Sequence, residues 1–233
     1  VVEEVAMALK QSLKGFLRRP ETIPGPGAML YSAVVTRVLS KPEAKIAGDV
    51  VQHTKQGTVL DLGSGPGFLV TEIARKSPGL RVCGIDLSRQ MVKIASRRAG
   101  NARNAHFVFG SAARLPFKDS SIDLVVSTGV FHHLRSPRLV FDECYRVLKP
   151  GGEAWIYDGY PDVFRTHDNR KKLAEQYGFL VRHLGSSISA IHGFAREEYE
   201  TDIRDMLEQT GFKGNYDMAP ADIWMKLTLR RLH

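Results

Sequence analysis

The chain has 233 residues, 43% of them hydrophobic and 9% aromatic, an ordinary globular composition long enough to bury one enzyme-sized core. No run approaches the roughly 20 apolar residues of a membrane-spanning helix, and two cysteines, Cys83 and Cys144, give no disulfide framework, which argues against a membrane-spanning or disulfide-stapled protein and for a reducing cytoplasm. With 33 basic against 25 acidic residues the net charge is +8, a bias toward anionic partners.

In chain order, residues 2 to 18 read as an amphipathic helix with Val2, Val5, Ala6, Leu9, Leu13, Phe16 and Leu17 on one stripe. Glu3, Glu4, Lys10 and Lys14 interrupt it, unlike a secretion signal. Pro20, Pro24, Gly25, Pro26 and Gly27 then break the chain. Two helices are expected at 28 to 39 and 42 to 53, separated at Ser40-Lys41-Pro42, with Pro42 in a first helical turn. Strands are expected at 59 to 62, 81 to 85, 106 to 109, 122 to 127 and 152 to 158, with helices at 67 to 76, 88 to 98 and 137 to 147. Such alternation implies a parallel sheet covered on both faces. After Asp158 the periodicity changes, and residues 160 to 196 read as an insertion capping the carboxyl ends of the strands. A helix at 197 to 209 leads through Gly211-Phe212 to a short strand, and the last strand is expected at 222 to 229. No cluster of Cys, His and carboxylate has metal-ligand spacing, so no metal is expected.

The most informative stretch is Val59-Leu60-Asp61-Leu62-Gly63-Ser64-Gly65-Pro66-Gly67-Phe68, a buried strand running into a glycine loop that opens a helix. Gly63, Gly65 and Gly67 permit positive φ and close approach of backbone to a ligand, and the helix offers unpaired N–H groups to an anionic group. A dinucleotide loop, G-x-G-x-x-G, would need glycine where Phe68 stands. The second strand ends in Val82-Cys83-Gly84-Ile85-Asp86, and a carboxylate there can accept hydrogen bonds from both hydroxyls of a ribose.

These residues resemble the class I S-adenosylmethionine (SAM) dependent methyltransferases, particularly the branch of ubiquinone and menaquinone biosynthesis. Three later segments carry the resemblance further: Leu115-Pro116-Phe117 followed by Ser120-Ser121-Ile122-Asp123-Leu124-Val125-Val126, then Phe131-His132-His133-Leu134, then Tyr145-Arg146-Val147-Leu148-Lys149-Pro150-Gly151-Gly152. The resemblance implies an α/β fold with a doubly wound, mostly parallel seven-stranded Rossmann-like sheet. It also implies an N-terminal helical lid over 1 to 56, a SAM-binding core over 57 to 159, a capping insertion over 160 to 196, and a C-terminal helix with an antiparallel edge hairpin over 197 to 233. It puts the SAM carboxylate near the loop with Ser64, its amino group near Asp61 and its ribose on Asp86. Leu87 and Met91 can pack on adenine, Ser111 stands where the family commonly has Asp for the adenine amino group, and the Ala112 N–H can serve the ring. Ser127 ends the fourth strand beside the same site.

Methyl transfer from a sulfonium is an in-line displacement, so alignment in a dry pocket can supply much of the acceleration and a catalytic side chain is optional. His132 and His133 follow the fourth strand, where the methyl group is expected, and either can be a base, since an unperturbed imidazole titrates near 6.5; both can equally serve packing. Tyr31 on the lid, and Asp158 and Tyr160 after the fifth strand, are candidates for the acceptor side. His167, His183, His192 and Arg196 are candidate substrate readers in the insertion, or solvated surface. The expected activity is methyl transfer to a small-molecule or lipid-like acceptor, with an anionic one favoured by Arg165, Arg170, Lys171 and Lys172. Arg89, Lys93, Arg97, Arg98 and Arg103 add a basic helix face. An RNA methyltransferase is an alternative, against which stands Ser127-Thr128-Gly129-Val130 in place of an Asn-Pro-Pro-Tyr-type segment; a non-catalytic SAM-binding protein is the other.

Overall fold

Continuous apolar runs along the central strands decide the architecture, because a strand hydrophobic on both faces must be covered twice. In the computed structural model, which describes residues 25–164, 167–177, 194 and 196–232, seven strands pair into one sheet. They are β1 (Gly57–Leu62), β2 (Leu80–Asp86), β3 (Ala105–Phe109), β4 (Ile122–Thr128), β5 (Leu148–Gly159), β6 (Tyr216–Ala221) and β7 (Trp224–Arg230), in spatial order β3-β2-β1-β4-β5-β7-β6. The first five run parallel, and β7 pairs antiparallel with both β5 and β6. The expected parallel sheet with an antiparallel edge hairpin is therefore what the chain forms. The helix expected over 2 to 18 lies outside the described residues.

One face of the sheet, carrying Leu60, Leu62, Val125, Ile156 and Leu227, packs on Val140, Phe141, Cys144 and Val147 of α4 (Pro137–Val147) and on Tyr199, Ile203, Leu207 and Phe212. The other face, carrying Val59, Val82, Leu124 and Val126, packs on Ile46, Ala47 and Val50 of α1 (Gly25–His53) and on Leu69, Val70, Ile73 and Ala74 of α2 (Phe68–Lys76). Each fully buried aliphatic side chain contributes roughly 1.5–3 kcal/mol. Both cysteines are buried in the first cluster as small core residues. Phe164 and Leu173, the latter on α5 (His167–Tyr177), join the second cluster, whereas Tyr160 and Phe194 pack with the first.

One local expectation is corrected. The two helices expected on either side of Ser40-Lys41-Pro42 are a single helix, α1, with Pro42 inside it. A proline there removes one N–H donor and crowds the preceding turn, at about 3 kcal/mol. Anchoring of Ile46, Ala47 and Val50 against the sheet offsets that cost, so tertiary packing overrides the local break.

Several resemblance-bearing segments are scaffold. Arg146 donates from Nε to Glu143 Oε1 at 2.7 Å, from NH1 to the Phe117 carbonyl at 2.8 Å and Asp119 Oδ1 at 2.6 Å, and from NH2 to the Leu115 carbonyl at 3.0 Å. Asp123 accepts from Lys149 Nζ at 2.8 Å and from the Thr58 N–H at 2.7 Å. These clamps fix the start of β4 against β1 and the β5 turn. Strand order reverses between β1 and β4, and a crevice opens at their carboxyl ends, the general ligand position in such sheets.

Candidate functional site

The glycine loop is pinned from below by backbone and from the side by Asp86. The Ile85 carbonyl accepts the N–H groups of Gly63 at 2.8 Å and Ser64 at 3.0 Å. Asp86 then accepts the Gly65 N–H at 2.8 Å and, through its other oxygen, the Ser88 N–H at 2.7 Å. Ser88 caps α3 (Arg89–Ala99) by accepting the Met91 N–H at 3.3 Å. The carboxylate thus sets the spacing between the loop and α3 before any ligand arrives. Arg98 of α3 donates to the Pro66 carbonyl at 2.9 Å, so one member of the basic helix face is a loop anchor.

Gly67 has φ +76°, and a Cβ there would sit 2.6 Å from the Ala95 Cβ and 2.8 Å from the Phe107 ring. Its glycine is required by packing of the loop on α3 and β3 as well as by the turn. Gly63, at φ +67°, presses on Val130 in the same way, which brings the loop after β4 up to the loop after β1.

A cavity opens between these loops. Of the residues singled out from sequence, Asp61, Gly63, Ser64, Gly65, Asp86, Leu87, Met91, Ser111, Ala112 and His133 line it. Gly67 does not, nor does Ser127, which is buried and donates its hydroxyl to the Leu62 carbonyl at 3.0 Å, holding β4 to β1. Ser111 Oγ accepts the Ala113 N–H at 3.2 Å, shaping the turn after β3. The side chain of Tyr31 and the residues Arg165, His183 and His192 lie outside the described set, as do the side chains of His167 and Arg170. Arg196 is exposed and pairs with Glu200 at 2.7 Å.

The cavity is acidic at its floor. Asp61 is 2% exposed and its Oδ1 has no hydrogen-bond partner among the described residues; the same holds for the buried hydroxyl of Ser64. Burial, reinforced by Glu43 and then Asp86, holds the Asp61 carboxyl well above the usual range. Glu43, on α1, enters the cavity beside them and accepts the Thr128 hydroxyl at 3.2 Å. Its carboxyl is pushed up to about 7 by burial, against the lowering effects of Thr128 and Arg98. Asp86 is also raised by burial, opposed by its bonds from Ser88 and Gly65. Glu43 and Thr128 escape a reading by motif, because nothing in the local sequence of α1 marks position 43.

The histidine pair divides into a supported member and a presented one. His132 is held by Asp158, whose Oδ2 accepts the His132 N–H at 2.9 Å and whose Oδ1 lies 2.7 Å from Nδ1. Asp158 is 0% exposed and Tyr160 is packed near Tyr199, so neither lines the cavity where they were expected to face an acceptor. His133 lines the cavity, its ring 3.9 Å from that of His132. Burial pushes His132 down to about 3 and His133 down to about 4, with neighbouring His132 adding to the latter. The titration near 6.5 expected from an unperturbed imidazole is thereby corrected: both rings are neutral at neutral pH. Burial also raises the Asp158 carboxyl.

Comparison with known proteins places these residues in a wider set. The family described as "Methyltransferase domain" matches residues 60–156, the span from the β1 core to β5. An arsenite methyltransferase of Halobacterium salinarum is 38% identical over 173 residues, 71% of this chain and 39% of its own length. A demethylmenaquinone methyltransferase of Thermotoga maritima is 37% identical over 113 residues, 48% of each chain. The chain spans less than half the length of these curated relatives. Among solved structures, a Methanococcus maripaludis protein provisionally assigned as a SAM-dependent methyltransferase has the same fold, with a TM-score of 0.74 at 22% identity over 92% of this chain and 96% of that one. Among the described residues no helix is long and apolar enough to cross a membrane.

Proposed function

We propose that this chain, whose residues 60–156 match the family described as "Methyltransferase domain", is a class I SAM-dependent methyltransferase that transfers a methyl group to a small-molecule or lipid-like acceptor. The observation that carries this reading is the floor of the cavity, where the unpartnered Oδ1 of Asp61 lies among Glu43 and Asp86. Buried carboxyl groups left without donors favour a ligand that brings positive charge and N–H or O–H groups. When bound, SAM supplies a methyl group on a sulfonium, open to in-line displacement that leaves the electron pair on sulfur.

Asp61 is proposed to accept the ammonium group and Asp86 the ribose hydroxyls, with the unpartnered Ser64 hydroxyl toward the ligand carboxylate. Leu87 and Met91 supply apolar contact for adenine, and Ser111 and Ala112 polar contact. Gly67 and Ser127 serve the site by shaping it. His133, neutral and supported through the His132–Asp158 pair, is the group positioned to accept a proton from an acceptor hydroxyl or enol. A base depressed to about 4 is weak, so orientation of the acceptor contributes more than proton abstraction. The relatives' names span arsenite and a quinone precursor, which supports a small acceptor. Exposed Lys171 and Lys172 on α5 favour an anionic one.

The test is a thermal-shift comparison of SAM, S-adenosylhomocysteine and NAD on the native chain, Asp86→Ala and Asp86→Asn. A ligand at about 100 times its dissociation constant adds roughly 2.7 kcal/mol, a shift of about 5–10 °C for this size. Shifts by the two adenosyl ligands alone, lost in both variants, support the reading. Because Asp86 also holds Gly65 and Ser88 through separate oxygens, of which asparagine keeps one, the unligated melting temperature of each variant is compared with native to separate lost ligand contact from a loosened loop. A shift with NAD, or with none of the three, refutes it.

A further inference from the structure

Glu43 lies outside the matched residues 60–156, on a helix that reaches the cavity from the N-terminal side. Its carboxylate is tied to Thr128, the last residue of β4, whereas Asp61 and Asp86 sit at the ends of β1 and β2. The three acids therefore enter from three elements, and Glu43 stands on the β4 side, next to the loop that presents His133. In the function proposed above, that is the side on which methyl transfer occurs.

We infer that Glu43 makes this site read the charge on sulfur, favouring the sulfonium of SAM over the neutral thioether of S-adenosylhomocysteine. The inference rests on SAM being the cofactor. When the methyl carbon bonds to the acceptor, the C–S pair returns to sulfur and the positive charge near Glu43 disappears. A carboxylate placed there loses its partner at that moment, so product binding is weakened relative to substrate. The ammonium and carboxylate of the ligand are unchanged by the reaction, and an acid that faced only those groups would bind both ligands alike. The other ionisable groups that share the cavity or act on Glu43 are Asp61, Asp86, Arg98, His133 and Arg135. Of these, Asp61 and Asp86 are committed to other parts of the ligand in the same proposal, which leaves Glu43 as the acid on the β4 side.

A purely structural role predicts something different. The bond from Thr128 needs only an acceptor oxygen, which the amide of glutamine also supplies. Glu43→Gln therefore keeps the tie between α1 and β4 and removes the charge alone. Titration calorimetry at pH 8 with SAM and S-adenosylhomocysteine on native protein and Glu43→Gln decides the matter. The expected result is a SAM affinity weakened at least about tenfold with S-adenosylhomocysteine changed less than about twofold. An analogue with an ammonium in place of the sulfonium should follow SAM. Equal weakening of all three ligands, or no change in any, overturns the inference while leaving the cofactor reading intact. Failure of the native protein to bind either adenosyl ligand refutes the cofactor reading itself and the inference with it. Glu43→Met, uncharged and of similar length, repeats the test should the glutamine variant not fold.

Discussion

Two clusters of acidic side chains, one at each end of the central strands, are built from the same residue types and behave in opposite ways. At the carboxyl ends, Glu43, Asp61 and Asp86 crowd one cavity, and burial raises all three carboxyl groups. At the other end, Glu143 and Asp119 are gripped by Arg146, and Asp123 by Lys149 and the Thr58 N–H. There the Arg146 hydrogen bond lowers the Glu143 carboxyl. Acids gripped by basic side chains hold the fold together. Acids bonded only by neutral donors, as Glu43 and Asp86 are, or with an oxygen that has no donor among the described residues, as in Asp61, mark where a cationic ligand fits, and the contrast separates site from scaffold without reference to any relative.

The largest expected effect breaks the site half of this contrast. Asp61→Asn should weaken SAM binding by about 100-fold or more, measured by calorimetry, because a buried charged partner is replaced by an amide. The same change should leave the unligated melting temperature unchanged or raise it by about 2–4 °C, since a buried, unpartnered acid is removed. A fall in melting temperature of several degrees would show that Asp61 is a structural acid after all.

The scaffold half should break the other way. Arg146→Met abandons hydrogen bonds to Glu143, Asp119, Phe117 and Leu115 together, and should destabilise the fold by about 2–3 kcal/mol in denaturant titration. SAM affinity of the folded variant should stay within about twofold of native, the site lying at the far end of β4. A large loss of affinity at unchanged stability would erase the distinction between the two ends.

The elements and motifs on both sides of this division were legible in the sequence, but not the division itself. Strand and helix positions followed from alternating apolar runs, and the glycine loop with Asp61 and Asp86 declared itself by spacing. The Leu115-Pro116-Phe117 and Arg146 to Gly152 segments read as part of one signal with the loop, yet the Leu115 and Phe117 carbonyls and the Arg146 and Lys149 side chains form the clamp; a motif reports that residues are tied together, not which chemistry they perform. Glu43 was invisible because it reaches the cavity only through the packing of α1, 18 positions before Asp61. Pro42 misled for the same reason, as the local break it signals is overruled by the burial of Ile46, Ala47 and Val50. Asp158 was placed correctly at a strand end, but its direction, into the core and onto His132, depends on backbone geometry that no spacing encodes.

Opposite shifts should also give opposite pH profiles. Glu43 is raised from 4.5 to about 7 in the fold, so the unligated fold holds that proton more tightly than the unfolded chain. Its contribution to stability is complete below pH 4.5 and is lost as the pH climbs to about 7, at roughly 1–3 kcal/mol in all. Glu143 is lowered from 4.5, so its contribution is present above that pH and is lost as the pH falls through its folded value. Denaturant titrations from pH 3 to 8 on Glu43→Gln and Glu143→Gln should show difference curves of opposite slope. Parallel curves would mean that the two acids do not occupy opposed environments. SAM affinity should meanwhile rise through pH 6 to 8 in the native protein, since a cationic ligand favours the ionised form of Glu43.

The smallest effect concerns Ser111, where the resemblance to the family leads one to expect an acid. Ser111 lines the cavity, and its hydroxyl accepts the Ala113 N–H at 3.2 Å, which leaves a neutral oxygen with shared capacity for the adenine amino group. Ser111→Asp supplies a charged acceptor able to keep the turn bond and still receive a ligand N–H. It should tighten SAM and S-adenosylhomocysteine equally, by about threefold to tenfold, because the group it meets is the same in both. The equality is the informative part. If aspartate at 111 favoured SAM alone, charge anywhere in the cavity would read the sulfonium through space, and the selectivity assigned to Glu43 would belong to the field of the whole cluster. Equal tightening confines that selectivity to the acid on the β4 side and leaves position 111 to set affinity alone.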